Sequence, residues 1–598
     1  MLKQAGYVAL FAVLLFLIFK RQRSIARETF DDEYDFIVVG GGTTGAAVAG
    51  RLSETSAKVL VLEAGDEDYF DPLTSVPVLG LFSPGTSRDW QYMIEPQKNL
   101  CKNMLDNKIR WPRGKILGGS SSINYMLFVR ACKDDLASWV DAGADGWSYE
   151  DVLPYYKKSE NCIIPELRDS PYHGKNGRVT VQRTNKIPLS RIFMEAGEEL
   201  GFPINDDYNG ESMDGFAYFH QAIKDGYRQN SATAYLRPVA YSRQDHLHIV
   251  VRARVTKVLF DDKKNAVGVE IERDGKKYTI KAKKEIILSA GAIENPHILM
   301  LSGIGPKKHL QNNKIEVISD LPGVGSNLED HVMVPSFFHA PNVSHQLLST
   351  KTMMSSALEY LLHGTGLIAG SITDSFATIR FNNSRLPQGQ LFFGGLEMDV
   401  ETFKTMYMTA GNLQPEMYSG AAKEAEEERD GIVYSFYVVS VLSHAKSHGT
   451  IRLNMTDPSN KPIIDPNYFK HPDDIKNMVE SMKLVKRLSE TKAFKDVKAK
   501  PVILYDTCNA LEGDKQFECI ARHETFTAFH PCCTAKMGKD KMSVVDPKLK
   551  VYGVKGLRIA DASVMPHDLT GPLQATCYMI AERLADWIKS DWKLENEI

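Results

Sequence analysis

Glycines 40, 42 and 45, in the run YDFIVVGGGTTGAAVAGRLSE that begins at Tyr34, are spaced to bring main chain against a phosphate. An apolar run ends at Gly40 and small residues follow at helical spacing, so the stretch reads as strand, tight turn, helix. Gly40 makes the turn, Gly42 lets the backbone approach a pyrophosphate, and Gly45 lets the helix pack on the strand. The helix start then aims its N–H groups at the phosphates. A second apolar run, Lys58 to Leu62, ends in Glu63. Its carboxylate is placed to accept from a ribose 2′-hydroxyl, which argues against a 2′-phosphorylated ligand. An adenine dinucleotide is implied, and this stretch alone leaves NAD and FAD open.

A second set of such residues lies in WPRGKILGGSSSINYMLFVR, Trp111 to Arg130, which has no helical or strand periodicity through its middle and reads as a loop. Gly118 and Gly119 permit backbone approach, Ser120 to Ser122 and Asn124 supply donors, and Arg113 a cation. That set suits a pyrophosphate and the edge of a planar ring. A third stretch, IILSAGAIENPHILMLSGIGP from Ile286, starts as a buried strand and turns at Ser289-Ala290-Gly291. Ile293, Leu299 and Met300 follow at helical spacing.

Together with LRIADASVMP at Leu557 to Pro566, these segments resemble the glucose-methanol-choline (GMC) oxidoreductases over about residues 33 to 590. WPRGKILGGSSSIN and the ending AERLADWIKSDW are most similar to the insect glucose-dehydrogenase-like branch. The resemblance implies FAD as cofactor and oxidation of the CH–OH group of a sugar, sterol or primary alcohol. A quinone or another organic oxidant is the implied electron acceptor. It places Gly40, Gly42, Thr43, Thr44, Gly45 and Glu63 in the ADP-binding unit. Arg113, Gly118, Gly119, Ser120 and Asn124 fall in the loop running past the flavin, and Val255, in RARVTKVLF, beside the adenine. Ala290 and Gly291 lie in the second signature, and Asp561 and Ala562 in the turn that reaches the pyrophosphate.

In such enzymes a proton leaves the alcohol hydroxyl while hydride leaves its carbon for flavin N5. FHPCCTAKMG at Phe529 to Gly538 matches a family motif close to HPxGTxxMG, which implies His530 as the base. Imidazole suits that role because its unperturbed pKa is about 6.5. Two departures stand out. Cys533 replaces the glycine before the threonine, beside Cys532. Aligning Met565-Pro566 and Met579 to Glu582 without a gap puts Pro572 where relatives carry a His or Asn that bonds the substrate oxygen. Proline has no donor, and losing such a bond costs about 3 kcal/mol at the transition state. Gln574, two residues on, is the candidate replacement, while His567 is expected to be exposed or structurally bonded. Ala131 and Asn295 replace a family glycine and serine. The alternatives are a flavin-binding paralogue with little turnover, or a lyase on the same fold.

The elements that must position these residues are α/β. A Rossmann-like FAD-binding domain is expected to assemble from the discontinuous segments 33–150, 235–335 and 520–592. Segments 151–234 and 336–519 are expected to form an α+β substrate domain with an antiparallel sheet. There Ile432 to Leu442 reads as strands and Asp473 to Lys492 as an amphipathic helix. Phe392, Phe393 and Tyr437 are candidates for either pocket or core. No metal-ligand spacing stands out, and no metal is expected. The chain has 598 residues, is 43% hydrophobic and carries a formal charge of -3, which excludes a disordered chain and gives no field to attract nucleic acid.

Residues Ala5 to Phe19 are apolar but for one tyrosine, with Lys3 before and Lys20, Arg21 and Arg23 after. About fifteen such residues suit a signal peptide or a membrane anchor at 1–30, which places the body in the secretory pathway, secreted or anchored. Ser24-Ile25-Ala26 offers a cleavage site, whereas the positive-inside rule would leave an uncleaved body cytosolic. Cys508 and Cys519 flank a short polar loop, and a bridge and two free thiols are both open.

Overall fold

The computed structural model describes residues 23–596 apart from 70, 185–186, 188, 342–349, 382–383, 396, 402, 405–411, 415–418 and 505–506. The apolar segment Ala5 to Phe19 therefore lies outside the described residues. Among the described residues no helix is long and apolar enough to cross a membrane.

Two sheets organise the molecule. The first runs in the order Leu247–Val250, Val59–Leu62, Glu33–Val39, Lys276–Leu288, Ala266–Arg273, Ala253–Phe260, with Leu557–Ile559 also paired to Lys276–Leu288. Its centre is parallel, and the meander from Ala253 to Leu288 is antiparallel. Phe36 to Val39 and Val59 to Leu62 are buried on both faces; the helix Thr43–Leu52 packs against these strands, and Gln574–Asp591 packs on that helix. Continuous apolar runs are what such doubly covered strands require.

The second sheet is antiparallel throughout, in the order Lys500–Val502, Val332–His339, Phe436–Leu442, Gly389–Gly394, Thr373–Ile379, Gly215–Tyr218, with Phe526–Thr527 added to Val332–His339. The expected strand region divides into Ile432–Tyr434 and Phe436–Leu442, which join different sheets. The expected amphipathic helix is Pro472–Ser489. Asp473 and Asp474 lie in its first turn and Lys486 and Arg487 in its last, each complementing the helix dipole. It covers the second sheet and buries Ile475, Met478, Met482 and Val485. Cys508 and Cys519 form a disulfide, so of the two alternatives the bridge holds.

Candidate active site

The first glycine turn has the geometry its spacing implied. Gly40 adopts φ +96°, and a Cβ on Gly45 would lie 2.0 Å from the Gly40 carbonyl oxygen. The turn requires the one glycine and the close helix–strand approach the other. The second loop is laid onto this turn. The Gly118 N–H donates to the Gly41 carbonyl at 2.8 Å, and a Cβ on Gly119 would come within 2.8 Å of Gly42 Cα.

Between them opens a cleft of about 150 Å³. Gly40, Gly42, Thr43, Thr44, Glu63, Arg113, Gly119, Ser120, Val255, Ala290, Gly291, Asp561 and Ala562 are among the residues that line it. Gly45 and Gly118 lie behind the wall rather than on it, and Asn124 faces a second cavity. Both Glu63 oxygens hold main chain, accepting from Gly41 N at 2.9 Å and Gly65 N at 2.8 Å. Burial raises its pKa to about 7 despite these amides. Asp561 accepts from Gly291 N at 2.7 Å and Asn295 Nδ2 at 2.8 Å. Asn295 also reaches Ser563 Oγ, so this departure from the family serine tightens the turn that carries Asp561.

The residues present fit FAD. Ser289 Oγ is buried in the cleft wall without a protein partner, a position that a nucleotide's polar atoms would satisfy. The opening amides of Thr43–Leu52, which no intrahelical acceptor can serve, border the same cleft. Arg113 is tied at both ends of its fork, donating to Phe529 O at 2.6 Å and Ser120 Oγ at 2.7 Å.

The cleft runs into a cavity of about 350 Å³, and Thr43, Arg113, Ser120, Pro531, Ala562 and Cys577 line both. His530, Pro572, Gln574 and Asn124 line the cavity, so the two proposed catalytic side chains face one space. His530 N donates to Asp330 Oδ1 at 2.9 Å, and its Nδ1 lies 2.8 Å from His331 Nδ1. His331 Nε2 donates to the Leu569 carbonyl at 2.6 Å. In the neutral pair, this leaves His331 Nδ1 as acceptor and makes His530 Nδ1 the donor, so the lone pair of His530 falls on Nε2. Burial, then the His331 ring and the Arg113 guanidinium, hold the His530 pKa well below the ordinary histidine value. Gln574 is oriented as well. Its Oε1 accepts from Asn124 Nδ2 at 2.8 Å, and its Nε2 stands 3.4 Å from Tyr578 OH.

Cys533 keeps the left-handed φ, +72°, that glycine adopts freely, and Phe529 has φ +66° on the other side of His530. Such backbone costs about 1–3 kcal/mol per residue and persists where the surroundings enforce it. Here Arg113 grips the Phe529 carbonyl and Ala562 O accepts from Cys533 N at 3.0 Å. His567 is 43% exposed on its side chain and 3.4 Å from Glu329, as expected for a structurally bonded histidine. Sequence reasoning missed His331. Its only local signal is the Glu329-Asp330-His331 run immediately before the strand Val332–His339.

A dinucleotide cleft opening onto a cavity with an oriented imidazole is the arrangement of a dinucleotide-dependent oxidoreductase. The GMC oxidoreductase family model matches residues 34–333 and its C-terminal counterpart residues 445–581, and the chain belongs to this family. It is 36% identical over 586 residues to the glucose dehydrogenase (FAD, quinone) of Drosophila melanogaster, covering 96% of this chain and 89% of the relative. It is likewise 36% identical over 567 residues to an oxygen-dependent choline dehydrogenase of Rhizobium etli, covering 93% and 95%. A formate oxidase structure from Aspergillus oryzae superposes with a TM-score of 0.80 at 27% identity, covering 94% of this chain and 99% of that one. The chain is an FAD-dependent oxidoreductase enzyme.

Proposed function

We propose that the enzyme oxidises the CH–OH group of a small-molecule alcohol, with His530 as base and a quinone or related organic oxidant as final acceptor. The observation that carries this reading is the hydrogen-bond chain Leu569 O, His331, His530, which leaves the lone pair on Nε2 of an imidazole that lines the cavity adjoining the cleft. FAD, held by the glycine turns, Glu63 and the Asp561 turn, supplies the two-electron acceptor for hydride. His530 takes the hydroxyl proton, and the resulting imidazolium keeps its Nδ1–H on His331. Gln574 stands in for the donor that Pro572 lacks, since Asn124 holds its carbonyl and Tyr578 OH, at 3.4 Å, takes only one of the two Nε2 hydrogens. The quinone acceptor is supported by the name of the Drosophila relative. The Cys508–Cys519 bridge supports passage through an oxidising compartment.

Anaerobic mixing of the flavin-loaded enzyme with a panel of alcohols tests the reading. Bleaching of the visible flavin band is expected with wild type and not with His530→Ala, whose flavin should remain bound. Equal bleaching by both would remove His530 from the mechanism.

A further inference from the structure

The cavity beside His530 differs from what a sugar requires. Its walls come from the second sheet, the second glycine loop and the start of the helix Gln574–Asp591, and Leu127, Met333, Ile372, Phe392, Val439 and Phe526 present hydrocarbon to the space. Alternation along Gly389–Gly394 sends Phe392 into this wall and Phe393 into a separate core. The 3₁₀ turn Pro77–Phe82 borders the cavity with Val78 and Leu81.

Several polar side chains in the lining are committed to one another. Thr373 Oγ1 and Tyr437 OH lie 3.0 Å apart. Ser371 Oγ accepts from Thr373 N at 3.2 Å, and Asn124 binds Gln574. Ser121 donates to Gly118 O at 2.6 Å. A hexose brings five hydroxyls, and each one desolvated without a partner is strongly disfavoured. An alcohol with one hydroxyl needs only the His530 and Gln574 end.

We propose that the substrate is a predominantly apolar alcohol, an aliphatic chain or aromatic ring bearing a single reactive CH–OH group, and that simple sugars are excluded. This rests on the alcohol-oxidising reading above. In the reaction the substrate carbon gives up hydride to FAD and its oxygen gives a proton to His530. The C–O bond becomes a carbonyl, so the product is an aldehyde or ketone that keeps the apolar remainder in the cavity. The hydrophobic wall, not the catalytic end, then sets specificity, and the substrate fills what the flavin ring leaves of a space of about 350 Å³.

Two readouts on the flavin-loaded protein separate this claim from the activity itself. Binding is read without turnover, as perturbation of the flavin spectrum of His530→Ala by 1-octanol, benzyl alcohol or glucose. Turnover is read as anaerobic bleaching of wild type by the same three. Octanol and benzyl alcohol are expected to bind and to bleach, and glucose to do neither. Val439→Thr, which keeps the side-chain shape and adds a hydroxyl to the wall, is expected to weaken octanol binding about tenfold while the flavin stays bound. Glucose binding more tightly or bleaching faster than octanol would overturn the inference and leave the alcohol-oxidising reading standing. Failure of all three to bleach, with flavin still reducible by dithionite, would overturn both.

Discussion

His331 Nδ1 lies 2.8 Å from His530 Nδ1, with the two rings nearly perpendicular at 88°. One proton serves that contact, and the Leu569 carbonyl decides which ring donates it, because it accepts from the far nitrogen of His331 at 2.6 Å. His331 is therefore a positioning residue. It touches neither cavity nor cleft, yet it determines that Nε2 of His530 is the basic atom. Asp568, 3.4 Å from His331 Nε2, brings a negative charge close to the pair, and the His444 ring 3.0 Å from Asp568 offsets it.

Removing the acceptor should disorient the base without removing it. His331→Leu is expected to lower kcat/KM about 10- to 100-fold, the usual consequence of losing a residue that orients a functional group. His331→Asn, whose Oδ1 can still accept from His530 Nδ1, should recover much of the loss. The pH profile distinguishes this from a folding defect. Burial and the neighbouring charges hold the His530 pKa well below 6.5, so wild-type kcat/KM should stay flat as pH falls through 6.5. In His331→Leu the acid limb should shift, because the imidazolium Nδ1–H loses its acceptor, and His331→Asn should restore it. An unshifted limb would assign His331 a structural role only.

Gln574 and Pro572 can be told apart by substitution. If Gln574 Nε2 bonds the substrate oxygen, Gln574→Leu should slow flavin reduction about a hundredfold, since an oriented donor is worth about 3 kcal/mol at the transition state. Pro572→Asn should then add little. A rate gain in Pro572→Asn with no loss in Gln574→Leu would show that the donor position stands vacant and that Gln574 only holds Asn124. Stopped-flow reduction with saturating alcohol measures both.

Much of the dinucleotide cleft was legible because its requirements are local. The positive φ at Gly40 and the contact between Gly45 and the Gly40 carbonyl each depend on a few consecutive residues. Phe392 and Phe393 could not be separated that way. Adjacent strand residues face opposite sides, and which side carries the cavity depends on neighbours drawn from Gly215–Tyr218 to Phe436–Leu442. His331 was hidden for the same reason, since the two groups that fix its tautomer, Leu569 and His530, lie 238 and 199 residues away. Asn295 looked like a loss of the family serine, and only the fold shows it bonding Asp561 and Ser563.

Glu63 should be as important to the fold as to the cofactor. Its carboxylate serves the amides of Gly41 and Gly65, and Glu63→Ala would leave both without that acceptor. At about 1–3 kcal/mol for each buried unsatisfied group, a loss of about 2–6 kcal/mol is expected in denaturant titrations. Flavin retention on gel filtration should fall with it. Full retention with unchanged stability would mean that water replaces the carboxylate at both amides.

The buried charges behind the active site give stability a definite pH dependence. Burial pushes the His444 pKa down, but Asp568 at 3.0 Å and Asp135 at 3.1 Å outweigh it and raise it to about 10. A raised histidine stabilises fully below its unfolded pKa of about 6.5, and the contribution is lost as pH rises toward about 10. The melting temperature should therefore decline across that window, with His444 contributing up to about 1.4 kcal/mol per pH unit. His444→Asn should flatten part of this slope while being less stable than wild type at pH 6.5. A slope unchanged by the substitution would place the titration elsewhere, His173 being the other histidine whose pKa is lifted far, to about 11.

The Cys508–Cys519 bridge closes a loop with a sequence separation of 11 and anchors the helix Gly513–His523, which leads through Phe526–Thr527 to His530. Loop-closure entropy for a ring of this size is worth about 3 kcal/mol, chiefly by restricting the unfolded chain. Cys508→Ser with Cys519→Ser should thus lower the urea midpoint in proportion. Dithiothreitol should bring wild type to the same value and leave the double variant unmoved. Flavin reduction by an alcohol should change little, because His530 is held independently by Asp330 and His331 and its neighbour Phe529 by Arg113. A large drop in reduction rate at full flavin occupancy would mean that the helix, and not those contacts, sets the position of the base.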